Sequence, residues 1–308
     1  MSDERWLITG ALGCIGAWTC RQLVREGHDV VAYDLGDDRH RLDAVLADGE
    51  MDQVRFVRGD IADLEALQAT VTGEGITHIV HLAALLIPLV KADPPRGALV
   101  NVVGTVNVLE AAHRGEVQGV AYASSAAAYD RSDGARVEED DRGRPLNHYG
   151  VHKQANEGAA RIYWLDERLP SVGLRPHVVY GAGRDHGLTA GPTLAMAAAA
   201  RGERYEIAFG GRAQFQYAPD AAEKFIAGAR ACPGSGGAPV RNLGGPSEHV
   251  EDVIAAIEAV VPEAAGTITF ARDVELPLPE DMAAVDPVRT PLREGVRETI
   301  EMLRAAQQ

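Results

Sequence analysis

The stretch Leu7-Ile8-Thr9-Gly10-Ala11-Leu12-Gly13-Cys14-Ile15-Gly16 constrains the fold more than any other part of the chain. Trp6–Thr9 reads as a buried first strand and Ala17–Glu26 as the helix after it, with three glycines spaced G-x-x-G-x-x-G between them. That spacing serves a strand-to-helix turn. One glycine makes the bend, one lets backbone approach a pyrophosphate, and one lets the helix pack close on the strand. The helix start adds unpaired N–H groups and the positive end of a dipole. Strand, glycines and helix arrive in the order that a dinucleotide site requires, which makes Gly10, Gly13, Cys14, Ile15 and Gly16 candidate contacts.

Strand and helix signals alternate from there on. Gly27 closes the first helix, and Asp29–Asp34 is a second strand whose last residue lies eighteen positions after Gly16. An acidic side chain there accepts hydrogen bonds from an adenosine ribose and repels a 2′-phosphate, so Asp34 argues for NAD over NADP. Arg39 and Arg41, just beyond, are the residues that would oppose this preference. Val54–Arg58 is a third strand, and Asp63 is the expected N-cap of a helix reaching Val71. Thr77–Leu82 is a fourth strand running into Ala83-Ala84, whose small side chains leave room for a ligand at the carboxyl edge of a sheet. Asp93-Pro94-Pro95 opens a long apolar-periodic helix, Arg96–Arg114, in which Asn101 is an inward-facing amide that needs partners. Val117–Ser124 is the fifth strand. This alternation implies a parallel sheet with right-handed crossovers. Later, Cys232–Pro239 reads as a glycine-rich loop, Ser247–Val261 as an amphipathic helix, Thr267–Phe270 as a short strand and Pro291–Ala305 as a final helix.

Composition narrows the classes. A chain of 308 residues holds one large α/β domain and a smaller lobe, here expected as 1–170 and 171–308, with parts of the second returning to the main sheet. The formal net charge of −15 opposes binding to nucleic acid or to an anionic membrane. No apolar run approaches the ~20 residues of a membrane span. The first strand begins too early for a secretory leader, so a reducing cytoplasm is expected. Cys14, Cys20 and Cys232 have no metal-ligand spacing, and no metal is expected; Cys14 and Cys20 read as small buried fillers.

The chemistry-bearing residues follow the fifth strand. Ser124-Ser125 stands at its carboxyl end, and Tyr149-Gly150-Val151-His152-Lys153 opens a long helix, Tyr149–Arg168. Tyr149 and Lys153 are four apart and share a helix face. A phenol of pKa ~10 is a poor base at neutral pH, but a nearby ammonium and an oxidised nicotinamide stabilise its phenolate. A serine hydroxyl can then hold a substrate oxygen while the tyrosine moves its proton.

Thr9-Gly10-x-x-Gly13-x-x-Gly16, Asp60-Ile61, His81-Leu82-Ala83-Ala84, Asn101-x-x-Gly104-Thr105, Ser124-Ser125 and Tyr149-x-x-x-Lys153 together resemble the extended short-chain dehydrogenase/reductase family, which includes NAD-dependent sugar epimerases and dehydratases. Leu174-Arg175-Pro176-x-x-Val179-Tyr180-Gly181-x-Gly183-Arg184 and the ending from Thr290 to Ile300 extend the resemblance over nearly the whole chain. It implies an α/β fold, a Rossmann-type doubly wound parallel sheet with a smaller C-terminal substrate lobe, and NAD as cofactor. By the same resemblance Tyr149 is the acid/base, and Lys153 binds the nicotinamide ribose and depresses the tyrosine pKa. Ser125 orients the reacting hydroxyl beside Ser124. Asp60 and Ile61 hold the adenine, and Leu82, Ala83, Ala84, Asn101, Tyr149 and Lys153 the rest of the cofactor. The helices Arg96–Arg114 and Tyr149–Arg168 would form a two-fold dimer interface.

Substrate identity is constrained by departures from the resemblance. Nucleotide-sugar enzymes carry an asparagine shortly after the arginine that Arg175 matches, whereas Arg175 is followed by Pro176, His177, Val178 and Val179. They also carry an arginine where this chain has Ala213, with Arg212 one position off. Each lost charge-assisted contact costs ~1.5–3 kcal/mol of diphosphate binding. Ser125-Ala126-Ala127 also lacks the acid/base pair of dehydratases. The expected substrate is therefore a small sugar, polyol or sugar acid, contacted by Ser124, Ser125, and by Arg184 and His186 of the polar run Gly183–Thr189. His152 and His177 read as packing or surface residues. A nucleotide-sugar 4-epimerase using Arg212 is the competing enzyme, and a non-catalytic NAD-sensing binding protein the alternative from another class.

Overall fold

β1 (Arg5–Thr9), α1 (Cys14–Arg25), β2 (Asp29–Asp34), the single-turn α2 (His40–Asp43), β3 (Val54–Arg58), α3 (Leu64–Gly73) and β4 (His78–His81) follow one another in the computed structural model, which describes residues 4–129, 136–287 and 289–306. β1, β2 and β4 are near-continuous apolar runs because helices cover both faces of their sheet. Asp63 caps α3 by accepting a hydrogen bond from the Ala66 N–H at 3.0 Å. Beyond β4, α4 (Ile87–Ala92) and α5 (Pro94–Ala98) lead through a π-helical turn, Leu99–Val103, into α6 (Gly104–Arg114). The helix expected over Arg96–Arg114 therefore contains a bulge, which adds a residue to one turn at the position of the inward amide of Asn101.

β5 (Gly119–Ala123), the two-residue β6 (Arg136–Val137), α7 (His148–Glu167), β7 (Ser171–Arg175), β8 (Val178–Tyr180), α8 (Gly191–Arg201), β9 (Tyr205–Ile207), β10 (Arg212–Tyr217) and α9 (Ala218–Ser235) come next. β11 (Val240–Asn242), β12 (Ser247–His249), α10 (Val250–Val260), β13 (Ile268–Phe270), β14 (Asp281–Met282) and α11 (Leu292–Ala305) complete the chain. The main sheet has the order β11-β7-β5-β4-β1-β2-β3, parallel at every pairing. The chain runs outward from β1 to β3 and then crosses to β4, so strand order reverses between β1 and β4. At such a switch point the helices leave on opposite faces and a crevice opens at the carboxyl ends.

One apolar layer packs α1 and α9 on the sheet through Trp18, Leu23, Phe225 and Ile226, and the opposite layer packs α3 and α6 through Leu67, Val71, Val108 and Leu109. A third core around Met196, Phe215, Ile257 and Ile300 lies under the smaller sheet β12-β10-β8. Two expected boundaries are corrected here. Cys232 belongs to the last turn of α9, not to a loop, because its side chain is buried against β5 and prolongs the helix. Ser247–His249 is a strand, not the start of a helix, because it pairs with Arg212–Gln214. α10 begins only at Val250, where His249 Nδ1 accepts from the Glu251 N–H and Asp252 accepts from the His249 N–H. Among the described residues, no helix is long and apolar enough to cross a membrane.

Candidate active site

A cavity of about 330 Å³ opens at the carboxyl ends of β1, β4 and β5, directly over the switch point. The glycine turn forms one side, the segment after β4 and the end of β5 form the floor, and the Gly183–Thr189 loop forms the far wall. α7 starts at its rim because Asn147 caps the helix, its Oδ1 accepting from the Gly150 N–H at 2.9 Å. Tyr149 and Lys153 both face the cavity, with the Lys153 Nζ 5.3 Å from the Tyr149 ring centroid. Lys153 is buried and donates to the Ala123 carbonyl at 2.6 Å. Burial brings its pKa down to about 8, with the Glu157 carboxylate opposing the shift. Ser125 caps the short turn Ala126–Ala128 through the Ala127 N–H at 3.1 Å and lines the cavity beside Tyr149.

The expected depression of the tyrosine pKa by Lys153 is corrected. Burial pushes the Tyr149 phenol above its ordinary value, and the opposing pulls come from the Ser125 hydroxyl and the Arg184 charge. The ammonium donates a hydrogen bond to the Ala123 carbonyl while lying 5.3 Å from the centre of the tyrosine ring, so part of its charge is spent on a carbonyl dipole.

Ser124 lines the cavity, but its one hydroxyl proton goes to the Glu157 carboxylate, which leaves only the oxygen's lone pairs for a ligand. Glu157 also receives both forks of Arg175, at 2.7 and 2.8 Å, and Arg175 reaches on to Tyr129 and the Glu139 carbonyl. Tyr149, Lys153 and Glu157 thus stand at successive four-residue steps along one face of α7. Sequence reading missed Glu157 and Arg175 as a supporting pair, although the four-residue series was the signal that could have found the glutamate.

The turn fits a dinucleotide. A Cβ on Gly16 would lie 2.3 Å from the Gly10 carbonyl oxygen, and one on Gly10, which has φ +69°, would lie 2.6 Å from the Ala83 nitrogen. A Cβ on Gly13 would meet only the Gly10 oxygen at 3.1 Å, and its face is otherwise open. No side chain caps α1 and its first turn holds no acidic residue, so its N–H groups and dipole are free for an anion. Cys14, Ile15, Leu82 and Ala84 line the same cavity, and burial pushes the Cys14 thiol up to about 12.

The structure does not bring five of the expected cofactor residues to the cavity lining. Asp34 ends β2 behind the turn, where its carboxylate accepts from the Leu12 N–H at 3.0 Å and the Gly36 N–H at 3.2 Å, leaving further lone pairs. Asp60 accepts from the Ala62 N–H at 2.9 Å, and Ile61 packs against Gly104 of α6. The Ala83 nitrogen sits against Gly10. Asn101 spends its whole amide on the Leu85 backbone, accepting from its N–H at 2.7 Å and donating to its carbonyl at 2.9 Å. It clamps the segment after β4 and reaches the cavity only through it.

In the far wall, Arg184 and His186 line the cavity as expected. Asp185 ties that wall to α2, pairing with Arg41 at 2.8 Å and His40 at 2.6 Å. Arg41 also donates to the Leu12 carbonyl, so its guanidinium is committed, while Arg39 stacks over the Phe56 ring at 3.5 Å. His177 lines the cavity and is bonded through Nε2 to the Pro279 carbonyl at 2.6 Å, and burial brings its pKa down to about 4. His152 is buried on α7. Arg212, the phosphate contact of the competing nucleotide-sugar reading, is exposed, bonded to Ser247 and absent from the cavity lining, because β10 pairs there with β12 and turns it outward.

A family model described as the NAD dependent epimerase/dehydratase family matches residues 6–244. Among curated relatives, a UDP-glucose 4-epimerase of Lacticaseibacillus casei is 34% identical over 188 residues, covering 58% of this chain and 54% of that protein. One from Rhizobium meliloti is 30% identical over 186 residues, covering 59% and 54%. The matched stretch therefore spans about half the length of these curated relatives. Among solved structures, the Thermus thermophilus UDP-glucose 4-epimerase complex with NAD superposes with a TM-score of 0.80 at 25% identity, covering 98% of this chain and 99% of that one. MoeE5 in complex with UDP-glucose and NAD superposes with a TM-score of 0.80 at 27% identity, covering 99% and 100%.

Proposed function

The chain belongs to the NAD dependent epimerase/dehydratase family, and from that premise we propose that it is an NAD-dependent oxidoreductase of the sugar epimerase/dehydrogenase type, acting at a carbinol carbon of a small sugar, polyol or sugar acid. The observation that carries this reading is the convergence of Ser125, Tyr149 and Lys153 on one cavity beside the glycine turn. Gly10, Gly13, Cys14, Ile15 and Gly16 would cradle the cofactor pyrophosphate, Asp34 the adenosine ribose, and Asp60 and Ile61 the adenine end. Leu82, Ala83, Ala84, Tyr149 and Lys153 would hold the nicotinamide half, with Asn101 acting through Leu85. When bound, NAD supplies the acceptor for a hydride.

The chain's own residues handle the proton. The Ser125 hydroxyl orients the reacting oxygen, and the Tyr149 oxygen takes the hydroxyl proton as the carbinol is oxidised, or returns it on reduction. Burial holds the phenol high, while the Ser125 hydroxyl, the Arg184 charge and, when NAD is bound, its positive ring would favour the phenolate form. Replacing Tyr149 by Phe should lower kcat about 10²–10⁴-fold while NAD still binds, followed by NADH absorbance and by an assay for stereochemical inversion. Full activity in that variant would refute the acid/base assignment. A wild-type protein that binds NAD, turns nothing over and responds to it unchanged in the Phe variant would instead be an NAD-sensing binding protein.

The relatives favour a second reading, a nucleotide-sugar 4-epimerase. The run Pro176–Val179 without an asparagine, Ala213 and the outward Arg212 stand against it, and micromolar binding of UDP-glucose would restore it. We further propose a homodimer in a cytoplasmic setting, where the three free thiols stay reduced. Leu99 and Val103 on the π turn and Val151, Ile162 and Leu165 on neighbouring α7 are each about half exposed, an apolar stripe suited to a second copy. Replacing Val151 and Ile162 by Glu should halve the mass in light scattering; an unchanged mass would move the interface elsewhere.

A further inference from the structure

Arg184 is a cation in the far wall of the cavity with most of its donors unspent. One nitrogen, Nη2, donates to the Thr189 hydroxyl at 3.0 Å, while Nε is buried and has no partner. Among the described residues no carboxylate pairs with it, because its neighbour Asp185 is turned away to Arg41 and His40. A guanidinium held in a partly desolvated wall without a counter-charge is costly, and a bound anion would repay that cost.

The other cations around the cavity are committed. Arg41 is held by Asp185 and the Leu12 carbonyl, and Lys153 by the Ala123 carbonyl. His177 donates to the Pro279 carbonyl and is uncharged near neutral pH. His186 stands half exposed, 3.7 Å from Asp185. Leu86, Leu188 and Leu278 supply apolar wall between them. One planar, singly charged fork beside apolar side chains, with the neighbouring Asp185 already paired with Arg41 and His40, matches one carboxylate. It matches a sugar diphosphate poorly, since that group needs a second cation and Arg212 points away. The cofactor's own pyrophosphate already has the glycine turn and the uncapped start of α1.

We propose that Arg184 receives a carboxylate of the substrate, so that the site takes small hydroxylated monocarboxylates in preference to neutral sugars or nucleotide-linked ones. This rests on Tyr149 being the acid/base of the same cavity. The carboxylate anchors the molecule against the far wall, and a hydroxyl on the same molecule then reaches Ser125 and Tyr149.

The test uses the full chain with NAD and four probes: D-glucuronate and D-gluconate against D-glucose and UDP-glucose. NADH formation is followed together with calorimetric binding to the NADH-loaded protein. The acids should bind or turn over and the neutral sugar should not. Arg184→Gln should raise KM or Kd for the acid about tenfold to a hundredfold, leaving kcat and the NAD Kd within about twofold. Arg184→Lys should recover part of the loss. A raised NAD Kd with an unchanged KM would reassign Arg184 to the cofactor pyrophosphate and overturn the proposal. So would glucose or UDP-glucose used as well as the acids, or no binding of either acid. Undiminished turnover in Tyr149→Phe would instead remove the underlying reading, whatever Arg184 does.

Discussion

Glu157 holds three neighbours with one carboxylate: the Ser124 hydroxyl, the Arg175 guanidinium and, one helical turn back, the field around Lys153. Because Glu157 supports the charged form of Lys153, replacing it by Gln should move the Lys153 pKa further below about 8. The ammonium would then be lost at lower pH, and the alkaline limb of a kcat–pH profile should shift down with it. The same change leaves Arg175 buried without its partner, which should cost about 3–5 kcal/mol in urea denaturation. A melting change without a shift of the pH profile would leave Glu157 as scaffold alone. At this scale the sequence disclosed residue types better than their partners. Asn101 and Ser124 were legible as polar groups near the site, yet their amide and hydroxyl are spent on Leu85 and Glu157, which lie 16 and 33 positions away in the chain. No local pattern encodes a partner at that separation. Asp185 and Arg41, which join 144 positions apart, were hidden for the same reason.

Among elements, the glycine turn was readable because its constraint is steric and local. Its three glycines have different duties. A Cβ on Gly16 would be driven into the Gly10 carbonyl at 2.3 Å, whereas one on Gly13 meets a single oxygen at 3.1 Å. Gly16→Ala should therefore cost about 1–3 kcal/mol of stability, or more if α1 cannot shift, measured by urea titration. Gly13→Ala should fold with a similar midpoint yet bind NAD about tenfold more weakly, read by calorimetry. Equal effects of the two on folding would contradict this division. β2 also lies where periodicity placed it, since a buried parallel strand writes a continuous apolar run, and β3, at the sheet edge, carries the arginines Arg55 and Arg58 between its apolar residues. Ser247–His249 and the end of α9 were misread because tertiary pairing and burial decided them against local composition. The π turn at Leu99–Val103 could not be read at all, since a one-residue bulge leaves the apolar period nearly unchanged.

For the whole molecule, two buried histidines tie stability to pH. Burial, with Lys153 adding to it, brings His81 down to about 3, and burial brings His177 down to about 4. Each binds a proton in the unfolded chain near pH 6.5 but resists it when folded, so the unfolded state takes up more protons between those values. Stability should be flat above about pH 7 and fall as pH drops through 6 toward 4. Two such groups should remove about 2–4 kcal/mol between pH 7 and pH 5, as urea midpoints would record. A flat profile across that window would mean that these rings find water when the native state is acidified.

The seven-stranded sheet borrows β7 and β11 from the later half of the chain. The peptide bearing Ser125 is fastened there, with the Ser124 N–H on the Leu174 carbonyl at 2.7 Å and the Ala126 N–H on the Pro176 carbonyl at 2.9 Å. Recombination therefore cannot trade selectivity and chemistry as separate cassettes: a chimera spliced between α7 and β7 would import a foreign anchor for Ser125 along with its new recognition loop. A graft meant to change only what the cavity accepts would need its seam beyond Pro176.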